Sequence, residues 1–224
     1  SSFLVSLISA LSKLLNLDWN NELIAQKASE VELSKLSKPI GRQDHYLSSL
    51  GGISFLKFNK GGLVKKKKLS IQKEILLRRL IDNFYLIPTN ATRNADTILS
   101  SIKDDPSSNS MLCDIREIAK TFLETNENRE HVLESKFHEC VKSSWEIKRK
   151  MNNVMHKTLE EQYDYLNKVF PNNWIRLLGA GGGGFFLVSL KDEIKNLDKL
   201  EEFHKIENIK KASISELGAQ AEFF

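Results

Sequence analysis

The stretch that most constrains this chain is Ile175 to Leu190, IRLLGAGGGGFFLVSL. Five glycines (Gly179, Gly181, Gly182, Gly183 and Gly184) stand there between two apolar, β-type runs. Glycine loses more backbone entropy on folding than any other residue. A run of it is therefore kept where the chain needs positive φ or where another group must touch the backbone. Free N–H groups in such a loop also form an anion-binding concavity. A flexible linker is the bland alternative, but linkers are not wedged between Leu177-Leu178 and Phe185-Phe186. Gly179, Gly181 and Gly184 match the spacing GxGxxG as well. That dinucleotide fingerprint requires a helix after the glycines, whereas Phe185 to Leu190 reads as a buried strand, so we reject it. The reading is a tight strand–loop–strand connection that approaches a phosphate.

Around this loop the chain has 224 residues, enough for one large or two small cores. Its 41% hydrophobic and 28% charged content is that of an ordinary globular protein. The net charge of +4 comes largely from Lys65 to Lys68. That is too small and too local for nucleic acid, though it would suit a phosphorylated ligand, and we read the lysine run as a solvated turn between strands. Cys113 and Cys140 lie far apart without metal-ligand spacing, which fits a reducing, cytoplasmic setting and no disulfide framework. No apolar run approaches membrane-spanning length. The amino end, SSFLVSLISALSKLL, has polar residues inside it and no basic leader, so it does not read as a secretory signal.

Ser1 or Ser2 can cap a first helix, with Phe3, Leu4, Leu7, Ile8, Leu11, Leu14 and Leu15 as its apolar face. Asp18 or Asn20 can cap a second helix running to about Leu36, whose inner stripe is Ile24, Ala25, Ala28 and Val31, continued by Glu32. A carboxylate on an apolar stripe is costly unless paired or metal-bound; spacing alone leaves open a helix-end glutamate reaching back to water. Pro39 and Gly41 then punctuate a turn in which Arg42, Gln43, Asp44 and His45 lie together. Taken alone, Asp44 reads as a helix N-cap, and His45 as a residue that packs or bonds locally without an acid–base partner spaced to use it.

Beyond this turn, ISFLKF and a run after Gly61-Gly62 read as two strands, Ile71 to Asp82 as a helix and NFYLIPT as a strand. Ala91 to Ile102 reads as a helix with Arg93 in its first turn. Met111 to Phe170 is helical in period almost throughout, with Leu159, Tyr163, Leu166 and Phe170 as one stripe and Trp145 in a helix–helix core. After the glycine hairpin come a charged helix, Lys191 to His204, and short strands near Ile206 to Ile214 and Gln220 to Phe224. This order is α+β rather than a repeating βαβ unit.

Three separated stretches point the same way: SSF opening an apolar helix, GRQDHY after a helix carrying Glu32, and LLGAGGGGFFLV in a late hairpin. In this order and at these intervals they resemble the GHMP kinases, the galactokinase, homoserine kinase and mevalonate kinase superfamily. PIGRQDHYLSSLGG, PTNATRNADTIL, SSWEIKRKMN and RLLGAGGGGFFLV make the chain most similar to the D-glycero-D-manno-heptose 7-phosphate kinase branch, over essentially its whole length.

The resemblance implies a ribosomal S5-like amino-terminal domain, incomplete here, over residues 1–78 and a ferredoxin-like carboxy-terminal domain over residues 79–224. It implies ATP-dependent phosphorylation of a sugar or sugar phosphate, with ATP and Mg²⁺ as cofactors, no nucleic-acid or membrane partner, and homodimerisation left open. Galactokinase- or fucokinase-like specificity and a non-catalytic relative are the rivals.

By the same resemblance Ser1 and Ser2 match the tail of the ATP phosphate loop, whose glycines and magnesium-holding serine would precede residue 1. The chain then reads as a fragment, inactive until the missing piece is supplied. Asp44 matches the acid that orients or deprotonates the attacking hydroxyl, and Glu32 the magnesium-holding acid. Arg42, Gln43 and Arg93 match substrate-side positions; Arg42 could equally pair on the surface. The five glycines match a loop close to the transferring phosphate.

Overall fold

The computed structural model describes residues 1–59, 61–89, 91, 94–171, 173–190 and 208–221. The chain divides into two units, Ser1–Ser70 with Ile214–Phe224, and Ile71–Ser213. Arg93 and the expected helix Lys191 to His204 lie outside the described residues. Among the described residues no helix is long and apolar enough to cross a membrane.

The first unit is built on α1 (Ser2–Leu14), α2 (Asn21–Glu30) and α3 (Gln43–Leu50). Asn20 caps α2, its side chain accepting from the Leu23 N–H at 2.9 Å, a contact typically worth about 1 kcal/mol. The helix then widens into a π-helical turn, Val31–Lys35, closed by Leu36 N–H donating to Val31 O at 3.0 Å. α1 departs from its expected apolar face. Val5, Ser9 and Ser12 are buried, whereas Phe3 (78% exposed), Leu7, Leu11, Leu14 and Leu15 face outward. Small residues let helices approach closely: Ala25, Ala28 and Ser29 on α2 are fully buried, and Val5, Ile24 and Ala28 form the local core.

β1 (Phe55–Phe58) and β2 (Val64–Lys67) make an antiparallel hairpin, with Phe55 opposite Lys67 and Phe58 opposite Val64. The lysine run is therefore part of a strand, not the turn expected from its charge. Its side chains remain in water because the hairpin leaves them exposed. The end of the chain returns to this unit. Gly52 N–H donates to Ser215 O and Ala219 N–H to Ser49 O, so the strand expected from Gln220 does not form at residues 220–221.

The second unit contains α4 (Ile71–Ile81), β3 (Phe84–Pro88), α5 (Ala95–Lys103), α6 (Pro106–Glu124), α7 (Glu130–Lys148), α8 (Lys157–Val169), β4 (Ile175–Leu177), β5 (Phe185–Ser189) and β6 (Lys210–Lys211). α4 packs on α7 and so belongs to this unit. α5 begins later than its apolar period suggested, because Asn94 accepts from the Asp96 N–H and fixes the start. The strands form one antiparallel sheet in the order β4-β5-β3-β6. Its register sets Ile87 opposite Phe186, Tyr85 opposite Val188 and Ile175 opposite Val188. Alternation then puts Ile87, Phe186, Val188, Ile175 and Leu177 on one face, against Trp145, Leu159, Tyr163, Leu166 and Phe170 from the helices. The expected α8 stripe and the Trp145 core residue are both found there.

Candidate functional site

In the first unit three predicted or neighbouring residues converge. The π-helical turn that ends α2 carries Glu32, whose side chain is 16% exposed. Such turns are rare and recur at functional sites. α3 presents His45, Tyr46 and Ser49 inward, and His45 is fully buried. Its Nε2 lies 2.6 Å from Glu32 Oε2, and the Ser1 hydroxyl donates to the same oxygen at 3.2 Å. Burial pushes the Glu32 carboxyl up, but the His45 hydrogen bond, the chain amino group and the Ser1 hydroxyl together outweigh it, and the carboxyl ends below its ordinary range. Glu32 Oε1 takes no hydrogen bond from the described residues. Ser1 occupies the N-cap position of α1, yet its side chain makes no cap bond because it turns to Glu32. Ser2 is exposed in the first turn.

Glu32 and Ser1 thus offer hard oxygen donors side by side. No cluster of three or more His, Cys, Asp or Glu side chains suited to a metal occurs among the described residues. A pair of oxygens completed by phosphate and water is nonetheless how Mg²⁺ is commonly held, so the donor set fits that ion. His45 is the residue the sequence misread. Its partner is the acid on the α2 stripe, but the pairing links two separate helical segments and only packing reveals it.

At the amino end of α3, Arg42 occupies the cap position and makes no cap bond. Instead it donates to Gly62 O at 2.7 Å, tying α3 to the β1–β2 turn. Asp44 is exposed in the first turn and is not the N-cap that spacing suggested. Gln43 folds back over Gly41, where an added Cβ would come within 2.1 Å of its Oε1. A cavity of about 390 Å³ lies beside this turn, lined by Gly41, Arg42, Gln43, Phe58, Asn59 and Gly62. Another, about 480 Å³ and mostly apolar, lies between α1 and α2 among Ile8, Leu11, Leu15, Trp19 and Val31; neither Glu32 nor Asp44 lines it.

The glycine loop belongs to the second unit. All five glycines have positive φ, from 71° at Gly182 to 155° at Gly183. Gly182 N–H donates to Val154 O at 2.8 Å and Gly184 N–H to Ala91 O at 3.2 Å, while the Gly184 carbonyl accepts from Thr89 N–H and its hydroxyl. A Cβ at Gly181 would stand 2.8 Å from Val154 Cα; at Gly179 and Gly184 it would meet nothing within 4 Å. The sequence assigned the whole run to phosphate approach. The structure accounts for Gly181 by the Val154 backbone and for the others by conformation. Ala180, Gly181 and Gly183 keep N–H groups without a partner among the described residues.

No protein-family model matches the chain, and no curated protein matches it. Solved structures do. A protein from Campylobacter jejuni assigned as a sugar kinase aligns over 97% of this chain and 62% of its own, at 24% identity and TM-score 0.67. The mevalonate kinase of Methanococcus jannaschii aligns over 92% and 59%, at 18% identity and TM-score 0.62. A D-glycero-D-manno-heptose 1-phosphate kinase from Bacteroides thetaiotaomicron aligns over 100% and 62%, at 17% identity and TM-score 0.57. The chain spans about three fifths of the length of these structures. The likeness is one of fold: a mixed α and β architecture shared with these structures.

Proposed function

We propose that the chain carries the cation-holding and substrate-side elements of an ATP-dependent kinase of the GHMP type, which transfers the γ-phosphate to a sugar hydroxyl. A heptose 7-phosphate is the favoured acceptor, on the strength of the PIGRQDHYLSSLGG and PTNATRNADTIL stretches. The observation that carries the reading is the Ser1 hydroxyl set 3.2 Å from Glu32 Oε2 on a π-helical turn, two oxygens of the kind Mg²⁺ takes. The sheet order β4-β5-β3-β6, with helices between β3 and β4, supports the ferredoxin-like assignment of the second unit.

In this reading Ser1 itself, rather than the serine expected before it, joins Glu32 in holding Mg²⁺ beside the amino end of α1, where the helix dipole favours the phosphates. The cation, when bound, neutralises phosphate charge during transfer. Asp44, exposed and unpaired among the described residues, is free to orient the acceptor hydroxyl and take its proton. Arg42 and Gln43 border the cavity of about 390 Å³ and contribute to acceptor binding; Arg93 is assigned a substrate-side role on the resemblance alone. Within the second unit, the free N–H groups of the glycine loop favour an anion.

The test is calorimetric titration of ATP with and without Mg²⁺, followed by ADP release against heptose phosphates, galactose and fucose. Mg²⁺-dependent binding with turnover on one acceptor supports the reading, and Mg²⁺-independent binding refutes the Glu32 site. The resemblance carries one rival reading, a relative that binds nucleotide or sugar without turnover. It is recognised by binding with no ADP released for any acceptor.

A further inference from the structure

We propose that His45 is a positioning residue for the cation site, holding the Glu32 carboxylate by one oxygen so that the other faces the ion. The inference rests on the reading of Glu32 as a cation ligand. Its geometry is a hydrogen bond from α3 to the π-helical turn that ends α2. α3 sends a fully buried imidazole to Glu32, with Nε2 2.6 Å from Oε2. The other ring nitrogen, Nδ1, is buried without a partner. A buried donor left without an acceptor is costly, so the hydrogen-bond geometry assigns the proton to Nε2 and leaves Nδ1 as a lone pair. The ring therefore has one job available to it, donation to Oε2.

That donation matters because a glutamate has three rotatable bonds and sits here on a widened turn. Ser1 also donates to Oε2. With both donors on one oxygen, Oε1 is left as the acceptor oriented away from the protein's own hydrogen bonds. Partners behind a metal ligand commonly account for about 10- to 100-fold in metal affinity by fixing the ligand's orientation. A packing role alone would make His45 replaceable by any residue of similar volume. An orienting role requires a donor at the position of Nε2.

The experiment compares His45→Gln, whose amide nitrogen reaches the place of Nε2, with His45→Leu and His45→Asn, which put no donor there. Binding of Mn²⁺ in the presence of ATP is followed by electron paramagnetic resonance, and the melting temperature of each variant is recorded beside it. The expected result is Mn²⁺ affinity lower by about 10- to 100-fold in His45→Leu and His45→Asn, with His45→Gln within a few-fold of the unaltered chain. If His45→Leu does not fold, the Gln and Asn pair decides alone. Equal Mn²⁺ affinity for Gln, Asn and Leu variants, with Glu32→Gln still losing it, overturns the role of His45 and leaves the cation site standing. A Glu32→Gln chain that binds Mn²⁺ as well as the unaltered one, or an unaltered chain that binds none, removes the site and the proposal together.

Discussion

Replacing Gly181 by alanine separates a structural glycine from a ligand-contacting one. The added Cβ would lie 2.8 Å from Val154 Cα, 3.0 Å from Val154 O and 3.1 Å from its Cγ1, and two of these three are backbone atoms that cannot turn aside. Overpacking of this kind costs about 1–3 kcal/mol. The φ of 111° adds about 1–2 kcal/mol for an L side chain. Restricting the unfolded chain returns about 0.4–1 kcal/mol. The net expectation is a loss of about 1–5 kcal/mol, or roughly 2–18 °C in the melting temperature at this chain length. Gly179→Ala is the control: its φ is 73° and its surroundings are open, so only the conformational term less the same unfolded-chain return remains, about 0–1.6 kcal/mol. Thermal unfolding followed by tryptophan fluorescence reports both, since Trp145 and Trp174 are buried in the same unit. The reasoning is refuted if Gly181→Ala melts with the unaltered chain, or if the two variants fall by the same amount.

Three further outcomes follow from the same structure. Asp44→Asn, in a chain that turns over, should lower the rate of ADP release far more than ATP affinity, because Asp44 touches no partner among the described residues; equal loss of both removes its role as base. The Glu32 carboxyl is held below its ordinary value of 4.5, so its contribution to stability is present above about pH 4.5 and lost as pH falls through the lower folded value. Acid unfolding followed by circular dichroism should therefore be shallower in Glu32→Gln as the pH falls from about 5 downward. Trp145→Ala should destabilise the chain by about 3–5 kcal/mol, since the indole is 1% exposed and packs beside Tyr163; a change below 1 kcal/mol in urea unfolding (roughly the size of a surface substitution) would deny it a core role.

Much of the second unit is legible in the sequence because its signals are local. The stripe Leu159, Tyr163, Leu166 and Phe170 has a helical period and lands in the core. The glycine run has apolar flanks and folds as a hairpin, with Leu177 opposite Phe186. Asn20 caps the helix it precedes. Each depends only on residues within a turn or a strand of one another. The first unit is read less well. The strongest apolar stripe of α1 points outward, and Val5, Ser9 and Ser12 point inward. Hydrophobic period identifies a helix but not which of its faces a neighbour will press closest, and small side chains permit the closer approach.

The sequence alone singled out the candidates for chemistry: an acid on an apolar stripe, an acid and an arginine in a turn, and a loop with a bare backbone. Only tertiary structure settled whom they meet. Glu32 meets Ser1 and His45, Arg42 meets the Gly62 carbonyl rather than Asp44, and Gly181 meets Val154. Periodicity and capping act over a few residues and can be read along the chain. Hydrogen bonds between helices and contacts across a loop form only after the chain has chosen its packing, and no local pattern encodes that choice.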